Sequence, residues 1–406
     1  MITRAISLYK NAYGGLSAST WWLTLVMLIN RSGTMVIPFM TMYLTQHLHT
    51  SISQAGLVMS LFGAGAVVGA LIGGRLTDKI GYYYVQICTL LGGGIMFIVV
   101  GQMKSYAAIC IATFILALIN EAFRPANSVA IAHYSSEENR TRSYSLNRLA
   151  INLGWAFGGA LGGLIASYNY SLLFWVDGIT NISAAALLYF VLSPSRNEAT
   201  LSNKKKEKVT GGATAYQDTR YLFFIVTIFI FASCFFQLFT TIPVFFKTEY
   251  HLSVLYIGIV MAINGLIITV FEMVTIFSLE GKRPHLHYIA FGVVLVGLSY
   301  LMLVVDIGNT ALMALFSTIV LTFGEILSMP FMNSYWISRT QEYNRGQYAA
   351  LFTVAWASAQ AIGPYLGSLL VEHKGYNLLW YIIGGVCLLL AMIYRAMHRK
   401  DITGPS

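Results

Sequence analysis

Polar residues in this chain come in short clusters between long apolar runs. Near-continuous apolar stretches of about 20 residues or more, the length a helix needs to cross a bilayer, lie near 20–45, 53–73, 83–103, 106–133, 143–166, 171–193, 221–247, 254–279, 287–306, 309–337, 346–371 and 377–396. A β-barrel would instead alternate apolar and polar residues in short segments. The pattern therefore predicts an all-α membrane protein with twelve transmembrane helices. The opening MITRAISLYKNAYGGLSAST is polar, so the first run is expected to be a span and not a cleaved leader. Composition agrees: 57% of the 406 residues are hydrophobic and 10% are charged, against a charged share of about 25% in soluble domains. Cys88, Cys110, Cys234 and Cys387 all fall in apolar runs without paired or metal-like spacing, and read as small packing residues.

Lysine and arginine decide the orientation. With the N-terminus placed in the cytoplasm, only Lys104, Lys247 and Lys374 fall outside, and Arg31, Arg124 and Arg148 fall within spans. The rest of the 25 basic residues lie on the inner side. That bias predicts both termini in the cytoplasm. It also accounts for the net charge of +9 by attraction to anionic lipid, with no nucleic-acid partner. The longest polar stretch, SPSRNEATLSNKKKEKVTGGATAYQDTR, covers 193–220 and carries a Lys run and Gly-Gly without apolar periodicity. It reads as a flexible linker. The expected organisation is a six-helix bundle at 1–193, a cytoplasmic linker at 194–220 and a second six-helix bundle at 221–406.

The two bundles resemble each other at an offset of about 202–206 residues. Pro38 matches Pro243, GLVM (56–59) matches GIVM (258–261), and Glu121 matches Glu325. Asn127-Ser128 matches Asn333-Ser334, and Asn139-Arg140 matches Asn344-Arg345. GGALGG (158–163) matches GPYLGS (363–368), and Trp175 matches Trp380. An even number of spans per half makes these parallel repeats, related by an axis along the membrane normal, with a substrate expected between them near the midplane.

GGRLTDKIG (73–81) joins the second and third spans. Here the chain resembles the major facilitator superfamily, whose loop at this place reads Gly-x-x-x-Asp-Arg/Lys-x-Gly followed by basic residues. Gly74, Asp78, Lys79 and Gly81 match; the terminal basic pair is replaced by Tyr83 and Tyr84. The resemblance implies a cytoplasmic gating latch in which the Asp acts on a helix N-terminus, where a carboxylate is favoured; a tight turn with solvated charges is the other reading. NLGWAFGGALGG (152–163) is similar to the glycine motif of the family's proton-coupled drug exporters. Gly154, Gly158, Gly162 and Gly163 match, while Gly159 replaces the motif's proline. Glycines four apart also let helices pack closely, so helix packing and gating both stay open.

In that family spans one, four, seven and ten line the central cavity, and the deepest charges of this chain fall on them: Arg31, Glu121 with Arg124, and Glu325. An ionised side chain at a helix centre costs roughly 2.5–3.5 kcal/mol on insertion scales, so each should face water or a partner. Asn30, Gln237 and Asn333 add neutral polar groups on the same spans. Glu121 and Arg124 stand three apart on one helical face and can pair. Glu325, in LTFGEILSMP (321–330), has no basic residue within a turn on its own helix. It is expected to be the main proton site, with Glu121 second; pairing of Glu325 with Arg31 is the alternative. Arg31, Arg124, Asn30, Gln237 and Asn333 are expected to bind substrate. Pro125 and Pro330 are expected to bend spans four and ten. Asp177 and Glu272, on spans six and eight, are expected to make structural polar contacts.

Nothing in the pattern points to an enzyme. It shows no phosphate-binding loop and no nucleophile–base arrangement, and the eight histidines, among them His47, His49, His285, His287 and His373, lack metal-ligand spacing. No cofactor and no metal are expected. The expectation is a secondary transporter that couples a small organic solute to protons by alternating access, as a monomer in the inner membrane of a bacterium. Efflux of amphipathic compounds is the first reading. The alternative is proton-driven uptake of a small peptide, amino acid or other carboxylate-bearing solute, which arginines in the cavity would favour.

Overall fold

The computed structural model describes residues 15–136, 140–193, 215–279, 281–305, 308–340 and 345–403. Among them all regular structure is helical, and twelve helices are long and apolar enough to cross a membrane: Ala18–His47, Ile52–Thr77, Tyr82–Gln102, Tyr106–Tyr134, Arg142–Tyr168, Ser171–Val191, Thr219–Thr248, Val254–Ile276, His285–Met302, Thr310–Ser338, Gln347–Lys374 and Tyr376–His398. These are spans one to twelve. Large apolar side chains such as Ile111, at 65% exposure, point away from the packed interior, as a bilayer requires. Residues 194–214, most of the expected linker, lie outside the described residues.

The chain parts into two compact units, Met1–Val36 with Gly65–Lys206, and Ile37–Ala64 with Glu207–Ser406. In the first, Val26, Met27, Leu90, Phe123 and Leu188 form the buried core. Span two lies against span four through Gly65, Gly69 and Gly73, whose missing side chains admit the backbone of Phe114, Leu118 and Ala122. In the second, Trp380 stacks on Tyr300 at 5.4 Å and meets Phe245 edge-on at 5.3 Å. The Tyr300 hydroxyl donates to the Cys234 carbonyl at 2.9 Å, satisfying a polar group that would otherwise be stranded.

Three spans are interrupted. Span one is helical over Ala18–Ser32, opens at Gly33, Thr34 and Met35, and resumes over Val36–Met42 with a final π-helical turn at Tyr43–His47. Pro38 explains the position: it has no N–H to donate to the Thr34 carbonyl, and its ring would collide with that carbonyl in a continuous helix. Span four breaks at Ala122, one residue past the corresponding position for Pro125. Span seven breaks at Phe236. In span ten Pro330 sits inside one unbroken helix, Thr310–Ser338.

The repeat is visible in the backbone. His49 and His251 both adopt φ +54° at the end of spans one and seven. In both places the next residue donates its N–H six residues back, Thr50 to Leu44 and Leu252 to Phe246, each at 3.0 Å. Two sequence matches fall out of register. Trp175 is 43% exposed, whereas Trp380 is fully buried. The burial pattern pairs Phe174 with Trp380, Asp177 with Ile383 and Asn181 with Cys387. Pro38 lies eleven residues before His49, but Pro243 lies eight before His251. Recurrent aromatic and proline residues in apolar helices had offered matches one to three residues away from the packing equivalents.

Candidate functional site

In the first unit the site is built on the two broken helices. Arg31 stands in the last turn before the opening in span one, where a cation is favoured by the C-terminal helix dipole. It is 9% exposed, and its Nε is buried without a hydrogen-bond partner. Glu121, also buried, ends the first piece of span four. Its Oε2 accepts from Arg124 Nη1 at 3.3 Å, and the Arg124 side chain is 68% exposed. Arg31 lies within electrostatic reach of both Glu121 and Arg124. Two guanidinium groups and one carboxylate thus leave this cluster with an excess positive charge. Asn30 donates to Asn181 Oδ1 on span six at 2.8 Å, so it is engaged in tying spans one and six together.

The glycine motif of span five seats this arrangement. Gly154 faces Arg31: a Cβ there would fall 2.5 Å from the Arg31 Cβ and 3.1 Å from the Ser32 nitrogen. Gly158 faces the carbonyls of Arg31, Ser32 and Thr34. Gly162 and Gly163 are buried farther along the same helix. At Gly154 and Gly158 the missing side chains admit the backbone of span one.

In the second unit Glu325 carries the only charge of span ten. Its Oε2 lies 3.5 Å from Asn264 Nδ2 of span eight, and the same nitrogen donates to Thr322 Oγ1 at 2.8 Å. Gln237 follows the break in span seven. Its Nε2 donates to the Gly363 carbonyl at 2.8 Å and the Ser233 carbonyl at 3.2 Å, and its Oε1 accepts from Thr241 at 3.0 Å. Gly363 and Gly367 of span eleven receive Ser233 and Gln237, as Gly154 and Gly158 receive span one. Asn333 is exposed and accepts from Trp336 Nε1 at 3.3 Å. An aromatic face runs alongside: Trp356 has Phe235, Phe236 and Phe352 at 6.2, 6.0 and 6.3 Å, and Phe352 has Trp336 at 6.0 Å.

At the expected gating motif Gly81 takes φ +86° between spans two and three, a left-handed turn that glycine adopts without penalty. Gly74 has open space around it, and Lys79 is exposed. The Asp78 side chain lies outside the described residues.

The sequence profile of the Major Facilitator Superfamily matches residues 20–364 and, again, 285–405. The chain belongs to the Major Facilitator Superfamily. An uncharacterised MFS-type transporter of Bacillus subtilis (strain 168), YttB, is 24% identical over 382 residues, covering 91% of this chain and 92% of that one. A Na(+), Li(+), K(+)/H(+) antiporter of Planococcus maritimus is 24% identical, covering 92% and 94%. A crystal structure of a POT family transporter in complex with 5-aminolevulinic acid superposes with a TM-score of 0.78 at 15% identity, covering 96% of this chain and 97% of that one. That likeness establishes the fold. This major facilitator protein is therefore a multi-pass membrane transporter of small molecules, not an enzyme.

Several site residues of this transporter were not singled out from sequence. Asn264 and Thr322 are isolated polar residues in apolar runs, and a polar residue facing a neighbouring helix was the available signal. Asp218 was hidden in the linker. It caps span seven by accepting from the Tyr221 N–H at 2.9 Å, takes a bidentate pair from Arg339 at 2.9–3.0 Å, and accepts from the Tyr348 hydroxyl at 3.0 Å. Burial raises the Asp218 pKa, but these donors outweigh it and hold the carboxyl below its usual range.

Proposed function

We propose that this chain exchanges protons for a small organic solute by alternating access, with efflux of amphipathic compounds as its task. Its two six-span bundles, 1–193 and 221–406, would move about the linker with both termini inside, in a bacterial inner membrane and as a monomer. Glu325 is the observation that carries the reading. It is the lone charge of a long apolar helix, next to the neutral donor Asn264. An ionisable group inside an apolar span is a functional candidate by default, and a carboxyl group can carry a proton, as a coupling site must. Glu121 is the second proton site. The antiporter relative supports exchange, and the Trp356 face supports flat apolar cargo through ring stacking. Asn333, bonded to Trp336, is a polar contact of that face; Gln237, buried with both ends of its amide engaged, holds spans seven and eleven together; and Gly74, Asp78, Lys79 and Gly81 form the cytoplasmic gate.

A second reading is proton-driven uptake of a carboxylate-bearing solute. The buried Arg31 Nε without a partner, beside Arg124, favours it, because guanidinium groups bind carboxylates with strong, paired hydrogen bonds. One assay separates the two. Proteoliposomes with an imposed pH gradient are offered ethidium, amino acids, dipeptides and sugars. The first reading expects gradient-driven ethidium movement that Glu325→Gln uncouples from pH. Dipeptide or amino-acid flux lost in Arg31→Ala would establish the second. Gradient-driven flux with unchanged pH dependence in Glu325→Gln removes Glu325 as the proton site.

A further inference from the structure

We propose that Asp177 is the pin of a hinge in span one, a positioning residue that fixes the outer piece of that span to span six. The inference rests on the alternating-access reading above. Asp177 is fully buried in the middle of Ser171–Val191. Its Oδ2 accepts from the Val36 N–H at 2.8 Å, and both its oxygens lie 3.0 Å from the Met35 nitrogen. Those two amides open the second piece of span one and have lost the carbonyl partners that a continuous helix would give them. A carboxylate also suits the positive end of that piece. The break therefore has an ionisable side chain on each side: Arg31 ends the inner piece, and Asp177 receives the outer one.

Three further observations mark the place as a joint. The chain passes from the first compact unit to the second between Val36 and Ile37, one residue past the amides that Asp177 holds. The inner piece is clamped separately, by Gly154 and Gly158 on span five, by Asn181 holding Asn30, and by Thr180 pressed against Gly33. The outer piece meets Asp177 at its first turn, where Val36 and Phe39 are also buried. Finally, the fold does not require the carboxylate: the residues that occupy the places of Asp177 and Asn181 in span twelve are Ile383 and Cys387, both buried, and span seven breaks by one residue without such a cap.

The test uses the full chain in detergent micelles and needs no cargo. Amide hydrogen exchange is followed in wild type, Asp177→Ala, Asp177→Asn and Asn181→Ala. Asp177→Ala is expected to speed exchange at Met35 and Val36 by about tenfold or more, a local opening. Asp177→Asn, which keeps one acceptor oxygen, should fall in between, and Asn181→Ala should leave these two amides unchanged. Spin labels at Leu25→Cys and Gln46→Cys, one on each piece, should show a broader distance distribution in Asp177→Ala than with Asp177 present. Unchanged exchange at Met35 and Val36 overturns the proposal. So does faster exchange spread evenly over spans one, five and six, which would make Asp177 a general packing residue, and so does an unaltered distance distribution. Because these readouts involve no transport, failure of the proton-exchange reading would show in the flux assay and not here.

Discussion

One substitution, glycine to alanine, should change sign along this chain according to what the new methyl group meets. At Gly154 the Cβ would fall 2.5 Å from the Arg31 Cβ, 2.9 Å from the Arg31 carbonyl carbon and 3.1 Å from the Ser32 nitrogen. None of these is the free end of a flexible side chain, so spans one and five must separate by several tenths of an ångström at least. Overpacking of this kind costs about 1–3 kcal/mol. Against it stands the gain of about 0.5–1 kcal/mol from replacing a helical glycine by alanine. The net for Gly154→Ala is a loss of about 0–2.5 kcal/mol, toward the upper end because the closest atoms belong to backbone and Cβ. At Gly158 the nearest atoms are carbonyl oxygens at 3.4–3.6 Å, ordinary contact, so no overpacking opposes the helical gain. At Gly74 nothing lies within 4 Å, and the helical gain stands alone. Thermal unfolding of the purified variants in one detergent should therefore place Gly74→Ala and Gly158→Ala at or above wild type and Gly154→Ala lowest. Gly154→Ala melting at or above wild type, or Gly74→Ala melting below Gly154→Ala, would refute the claim that span five seats the broken helix through its glycines.

Glu121→Gln should destabilise the protein far more than Arg124→Ala, in denaturant or heat. The first takes a negative charge from beside the buried Arg31 guanidinium, while the second removes a largely exposed partner worth about 0.2–1 kcal/mol. Asp218→Asn tests the clamp between spans seven, ten and eleven by pH. The folded carboxyl sits below its usual value, so the unfolded chain takes up the proton first. The stabilisation is full above the unfolded value of about 3.9 and fades as pH falls through the folded one. The wild-type advantage over Asp218→Asn in melting temperature should be present at neutral pH and shrink in acid; an advantage that grows in acid contradicts the assignment. Gln237→Leu should lower the melting temperature by stranding the Gly363 carbonyl, at about 1–3 kcal/mol for an unsatisfied buried group.

The periodicity of the chain made twelve spans legible because a bilayer admits few alternatives: a long apolar run must satisfy its backbone within itself. The deepest charges were legible for the same reason, since each needs a compensating neighbour, and Arg31, Glu121 and Arg124 are indeed brought together. Breaks were less legible. Pro125 and Pro330 look alike in sequence, yet only the first lies at an interruption. A proline costs one hydrogen bond, and whether the helix opens depends on neighbours able to take up the freed groups. At Met35 and Val36 that neighbour is Asp177, 142 residues from Met35, and no local pattern reveals it. The partners of Glu325 were hidden likewise, because Asn264 is a single amide in a helix that otherwise reads as lipid-facing. Asp218 was obscured by the Lys-rich stretch before it, which reads as linker and carries no sign that its last residues cap a span.

The two units show what a duplicated helical plan holds constant and what it lets go. Each half of the sequence has a first helix that breaks near its middle, a fifth helix whose glycines receive the break, and a left-handed histidine closing the first helix. These are steric and backbone requirements, and small residues or a tolerant turn meet them in either copy. The polar groups at the breaks differ. The first unit has an arginine before the opening and a carboxylate after it, whereas the second has Gln237, which satisfies itself on Ser233, Thr241 and Gly363. A buried ion pair or capped amide is expensive to keep in a membrane and is replaced without loss by an apolar residue when only packing is needed, as Ile383 and Cys387 illustrate. The charges of the first unit are therefore where a function beyond holding the helices together should be sought. Glu325, which stands away from the break of its own unit, falls in the same class for the same reason.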